Sequence, residues 1–215
     1  MNPDDMRDIL RFYFITDDGV ASIAALDQAR VAIEAGATMV QYRHKSFSLV
    51  AYEEVAAIRR LCRERRVPFV VNDNVLLAKA VGADGVHVGQ DDTPPWQARL
   101  VMGPQAIVGV SVSSMAELEH TDLAACDYIG TGPVFPTSTK PDAKPVQGLL
   151  RLRDIVNRSP VPVVAIGGIG PANAKDCIAH GAAGVAVISC ITRAVDPARA
   201  AKTMAAACGL RTRGA

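Results

Sequence analysis

Short apolar runs rich in β-formers alternate, from end to end, with stretches rich in alanine and leucine, and this alternation constrains the fold more than any other feature. The runs are 11–16, 38–43, 68–72, 85–89, 107–111, 128–132, 161–166 and 184–188. Each is followed by a segment of helical periodicity: 24–35, 50–65, 74–81, 95–101, from Ser113 or Ser114 to about 124, 149–156, 171–179 and 197–207. Three helical segments end in Ala-Gly-Ala (35–37), Val-Gly-Ala (81–83) and His-Gly-Ala (180–182), with glycine where a helix end needs positive φ. The recurrence reads as one strand–helix unit repeated.

Strands that alternate with helices run parallel, because each crossover returns the chain to the same edge. Near-continuous apolar strands imply a sheet covered on both faces. A doubly wound open sheet would share the pattern. Eight regular units without a linker or low-complexity tract fit closure better. The expectation is an α/β fold, a single (β/α)8 TIM barrel spanning 1–215 as one domain.

Composition excludes several classes. The formal net charge is +1, which gives no electrostatic footprint for nucleic acid. No apolar run reaches membrane-spanning length. The start, MNPDDMRDIL, lacks the order of a secretory signal, so the expected address is the cytoplasm. The five cysteines are odd in number and lack zinc-like spacing; they read as reduced packing residues.

In a barrel of this kind the active face is made by residues just after each strand. Gln41, Arg43 and Lys45 share one side of the second strand's end, with Tyr42 and His44 on the other, and two cations at alternate positions suit an anion such as diphosphate. A solvated strand end explains the charges equally well. Asn72-Asp73 and Gly89-Gln-Asp-Asp92 follow the third and fourth strands. Two carboxylates from adjacent loops suit a hard dication such as Mg2+. Helix capping would explain either aspartate alone. His87 alternates with valines and reads as a barrel-interior or packing histidine.

Ser111 ends the fifth strand as a single hydrogen-bond donor. The loop 132–141 offers Thr137, Thr139 and Lys140 among prolines, a preformed anion or leaving-group site. Gly167-Gly168 and Ile188-Ser189 follow the last two strands, where this fold recurrently binds phosphate. No nucleophile–histidine–carboxylate set and no zinc cluster is legible. The inventory favours charge stabilisation over covalent catalysis.

These segments, together with Gly109-Val-Ser111, Tyr128 to Lys140 and Ala165-Ile-Gly-Gly168, resemble thiamine-phosphate synthase over nearly the whole chain. The combination of Pro-Thr-x-Thr-Lys, Asn-Asp and Gly-Gln-Asp-Asp is the specific part. The resemblance implies a transferase of thiamine biosynthesis. It would join a hydroxymethylpyrimidine diphosphate to a thiazole phosphate, carboxylated or not, and release diphosphate by a dissociative, Mg2+-assisted route. It assigns Gln41, Arg43, Lys45, Asn72, Ser111 and Lys140 to the pyrimidine diphosphate. Of these, Arg43, Lys45 and Lys140 are the catalytic cations. It assigns Asp73 and Asp92 to one Mg2+ per subunit, and Thr137, Thr139, Gly168, Ile188 and Ser189 to the thiazole phosphate.

The implied partners are two phosphorylated small molecules, with no nucleic acid or membrane. Assembly into a homo-oligomer is left open. Tyr42 stands where the family usually has leucine and Asn74 where arginine is common, and His44 is a milder departure. The alternatives are a thiazole tautomerase, whose strand-six histidine is here Pro133, and a non-catalytic thiamine-phosphate-binding protein.

Overall fold

The computed structural model describes residues 3–20, 22–45, 52–137, 139 and 145–210. A helix α1 (Pro3–Ile9) precedes strand β1 (Phe12–Ile15). Then come α2 (Ala25–Ala35), β2 (Met39–Tyr42), α3 (Tyr52–Arg65), β3 (Phe69–Asn72), α4 (Val75–Ala80) and β4 (Gly85–Val88). Next are α5 (Pro95–Met102), β5 (Ile107–Ser111), α6 (Met115–His120), a 3-10 turn (Leu123–Ala125) and β6 (Tyr128–Thr131). The chain continues through α7 (Gly148–Arg158), β7 (Val163–Ile166), α8 (Ala174–Ala179), β8 (Gly184–Val187), α9 (Ser189–Thr192) and α10 (Pro197–Ala207). The strands close in order from β1 to β8, and β8 pairs with β1; every pairing is parallel. The fold is the expected (β/α)8 barrel.

Side-chain alternation sorts the strands into two cores. Phe12, Phe14, Val40, Tyr42, Phe69, Val71, Val86, Val88 and their counterparts point outward, against the helices. Tyr13, Ile15, Met39, Val70, Ile107, Tyr128, Val164 and Ala186 fill the barrel interior. Met6 of α1 and Leu10 just after it join that inner core, at 1% and 0% exposure. Helix α1 therefore plugs the barrel at the amino-terminal ends of the strands, opposite the loops at their carboxyl ends.

Several helix limits differ from expectation for identifiable reasons. Ser114 caps α6 by accepting from the Glu117 N–H, while the Glu117 carboxylate reaches back to accept from the Ser113 N–H. That helix stops at His120, and the stretch to Ala125 tightens into a 3-10 turn whose start is capped by Asp122. Helix α8 begins at Ala174, not at Pro171. The expected start of the second helical segment, Val50, lies outside the described residues. Helices α1 and α9 have no counterpart in the periodicity reading. Among the described residues no helix is long and apolar enough to cross a membrane.

Candidate active site

The carboxyl ends of the strands surround a cavity of about 600 Å³. Its wall includes Ser111 from β5, Thr137 and Thr139 after β6, Gly168 after β7, and Ile188 and Ser189 after β8. The structure thus brings together the whole set expected at a thiazole phosphate, and adds Ser111. Gln41, Arg43, Lys45, Asn72, Asp73 and Asp92 sit at the ends of β2, β3 and β4, outside that wall. Lys140 lies outside the described residues.

The cavity wall is built by ties between three loops. The Thr137 hydroxyl donates to Thr139 Oγ1 at 3.3 Å, and the Thr139 hydroxyl donates to Ser189 Oγ at 2.9 Å. Gly168 has φ of +64°, and a Cβ there would meet Pro136 O at 2.4 Å, so only glycine lets this loop pass so close. Asn173, which sequence reasoning missed, fastens the same loop: its Nδ2 donates to Gly168 O and its Oδ1 accepts from the Gly170 N–H. Ser189 opens α9, the short helix after β8. That helix is held by Asp17, which is 4% exposed and accepts from Arg193 Nε at 3.1 Å and from the Thr192 hydroxyl at 3.3 Å.

The cationic side is organised by the loop after β1. Thr16 Oγ1 accepts from the Arg43 N–H at 2.9 Å. Asp18 accepts from the Lys45 N–H at 2.8 Å and lies 3.9 Å from the Arg43 guanidinium and 3.8 Å from His44 Nδ1. Arg43 is buried, whereas Lys45 is exposed. Tyr42 and His44 stack on the other side of the strand, 6.3 Å apart and 20° from parallel. Burial lifts the Tyr42 phenol to about 12, and its hydroxyl has no hydrogen-bond partner among the described residues.

Neither metal-candidate aspartate is a helix cap. Helix α4 is capped by Asn74, whose Oδ1 accepts from the Leu77 N–H. Asp73 beside it takes the uncommon φ of +60°, with its own N–H donated to His87 O at 2.8 Å. Asp92 folds back so that Oδ2 accepts from the Gly89 N–H at 2.7 Å, and Pro94 occupies the cap of α5. Both carboxylates are exposed, on loops that follow two paired strands. Among the described residues there is no group of three or more His, Cys, Asp or Glu side chains suited to a metal ion. A pair of hard oxygen donors in solvent fits a dication that takes its other ligands from water and phosphate.

His87 lies in the barrel interior, as alternation implies. Sequence reasoning missed its partners: Nε2 is 3.0 Å from Ser111 Oγ and Nδ1 is 2.9 Å from the Tyr128 hydroxyl. Both Ser111 and His87 occupy inward positions of paired strands, which was the available signal. The five cysteines are free, and Cys190 borders the cavity. Burial raises the Cys190 thiol to about 11, so it stays protonated near neutrality.

Comparison with known proteins places these features in a family context. The family described as thiamine monophosphate synthase matches residues 12–191. Thiamine-phosphate synthase of Bacillus velezensis is 41% identical over 202 residues, covering 92% of this chain and 90% of that protein. Thiamine-phosphate synthase of Chloroflexus aurantiacus is 45% identical over 200 residues, covering 91% of each. The solved thiamine phosphate pyrophosphorylase of Pyrococcus furiosus superposes with a TM-score of 0.85 at 38% identity, covering 95% of this chain and 98% of that one.

Proposed function

Since the chain belongs to the thiamine monophosphate synthase family and is a transferase of that kind, we propose that it joins a hydroxymethylpyrimidine diphosphate to a thiazole phosphate, carboxylated or not, releasing diphosphate and, from the carboxylated acceptor, CO2 as well. Residues 1–215 act in this as one barrel domain. The observation that supports the reading is that the strand-end face carries two groups of side chains whose chemistry suits anions. One half is the cradle of Thr137, Thr139, Gly168, Ile188 and Ser189 around the cavity. The other is the cationic strand end of Gln41, Arg43 and Lys45, next to Asn72 and the two aspartates. Ser111 lies at the cavity wall and belongs with the second half.

The chemistry follows from what the side chains offer. The cradle orients the thiazole phosphate, so that the ring nitrogen faces the pyrimidine. Arg43 and Lys45, with Lys140 assigned by its motif, neutralise the charge that grows on the departing diphosphate. Asp73 and Asp92 would hold Mg2+, which when bound adds Lewis-acid stabilisation of the same leaving group. The carbon–oxygen bond breaks first, the pyrimidine spreads the positive charge over its ring, and the thiazole nitrogen then captures the carbon. No protein nucleophile is required, and the protonated Cys190 thiol agrees with that. Holding two reactants together supplies much of the remaining acceleration.

The test is the coupled reaction of the purified protein with both substrates. Thiamine phosphate and diphosphate form in equal amounts with Mg2+ and not after chelation. Asp92→Ala lowers turnover by about two orders of magnitude or more with an unchanged circular-dichroism spectrum. Absence of product with both substrates and metal present overturns the synthase reading. Undiminished product after chelation removes the metal from it.

A further inference from the structure

A line of hydrogen bonds crosses the barrel interior beneath the cavity. Gln41 Nε2 donates to the Tyr13 hydroxyl oxygen at 2.6 Å. The Tyr13 and Tyr128 hydroxyls are 2.9 Å apart, and Tyr128 is 2.9 Å from His87 Nδ1. His87 Nε2 is 3.0 Å from Ser111 Oγ, at the cavity wall. Gly109 makes the line geometrically feasible: a Cβ there would meet the Tyr128 ring at 2.1 Å. Burial pushes both phenols well above the ordinary tyrosine value, so each keeps its proton.

Each hydroxyl has one proton to give and two lone pairs to accept with, so the spacing alone allows either direction; a run from Ser111 to Tyr13 would leave the buried Tyr13 proton without an acceptor among the described residues. Tyr13 receives the Gln41 N–H on its oxygen and gives its own proton to Tyr128. Tyr128 gives its proton to His87 Nδ1, which therefore accepts. A neutral imidazole that accepts at Nδ1 carries its hydrogen on Nε2. That hydrogen goes to the Ser111 oxygen, and the Ser111 proton is left to point into the cavity.

The polarity is opposite to that of a nucleophile–base pair, in which Nδ1–H faces an acceptor and Nε2 takes the serine proton. We propose that Tyr13, Tyr128 and His87 are positioning residues that hold Ser111 as a hydrogen-bond donor to the anionic oxygens of the departing diphosphate. The assignment of the ligand rests on the synthase reading; the polarity of the line does not. A donor oriented in advance needs no reorganisation when charge develops on the leaving group. A Ser111 proton turned toward His87 would present lone pairs to that anion instead.

The tautomer can be read directly by long-range 1H–15N correlation NMR on 15N-labelled protein without substrate. Replacing His44, His120 and His180 by glutamine leaves His87 as the only one of the four histidines, which assigns the signal. The expected pattern is the Nε2–H tautomer; an Nδ1–H tautomer or an imidazolium at neutral pH overturns the proposal. Because no substrate is present, the result stands whether or not the protein makes thiamine phosphate. The kinetic arm uses Ser111→Ala, Tyr128→Phe and the double variant. Each single change lowers kcat/KM for the pyrimidine diphosphate about five- to tenfold, the loss of roughly one hydrogen bond. The double variant is no worse than Ser111→Ala. Losses that multiply would show that Tyr128 acts independently of Ser111. Tyr13→Phe supplies the same cycle if Tyr128→Phe does not fold.

Discussion

At the scale of the residue, Asp18 has two opposing effects on the cations of β2. Its oxygen anchors the Lys45 backbone, while its charge competes with any anion for Arg43. Asp18→Asn keeps an acceptor for the Lys45 N–H and removes the charge. The pair is partly exposed, so the effect is modest. The KM for the pyrimidine diphosphate falls about two- to fivefold at low ionic strength; a rise in KM would show that positioning outweighs charge. Tyr42 offers a separate case. Its ring is buried in the outer core with the hydroxyl unpartnered among the described residues. An unpaired buried hydroxyl costs stability. Tyr42→Phe is therefore neutral or stabilising by up to about 1 kcal/mol, which thermal unfolding would record as a Tm gain of about 2–4 °C. A clear loss would reveal a partner for that hydroxyl.

At the scale of the element, the side proposed for the thiazole phosphate depends on where α9 sits. Asp17 in the first loop holds Thr192 and Arg193 of that last segment, 175 and 176 residues away in sequence. The same carboxylate accepts from the Gly19 N–H, and Gln28 accepts from the Asp17 N–H, so the anchor itself is tied to α2. Asp17→Ala frees α9 and with it Ser189 and Ile188. The KM for the thiazole phosphate rises about tenfold, as for a lost charge-assisted hydrogen bond, while that for the pyrimidine diphosphate stays near its original value. Equal losses for both substrates would mean that the two halves of the face are not separable.

At the scale of the whole molecule, the barrel is closed at one end and holds the cavity at the other. Met6 and Leu10 fill the inner core from below, in contact with the layer that supports Tyr13 and Tyr128. Leu10→Ala leaves a cavity in a fully buried position and costs about 2–5 kcal/mol. Urea unfolding would show this as a lower midpoint with an unchanged slope. A midpoint equal to that of the parent protein would mean that α1 is an appendage rather than a plug.

Most of the barrel was legible in the sequence because its signals are local. Alternation along β4 put Val86 and Val88 outward and His87 inward, and glycine at the ends of α2 and α4 marked the turns. The same locality placed Gln41, Asn72, Ser111, Gly168 and Ser189 at strand ends without any knowledge of distance. What local pattern lacks is partnership. Helix α1 is too short to show a period, and its apolar residues make sense only against the inside of a closed barrel. The anchors Asp17, Asp18 and Asn173 carry no motif, since each acts through a contact the chain makes after folding. His87 and Ser111 are 24 residues apart, and only the pairing of β4 with β5 joins them. Local chemistry thus determined which groups would stand at the carboxyl ends of the strands. Closure of the sheet decided which of them touch.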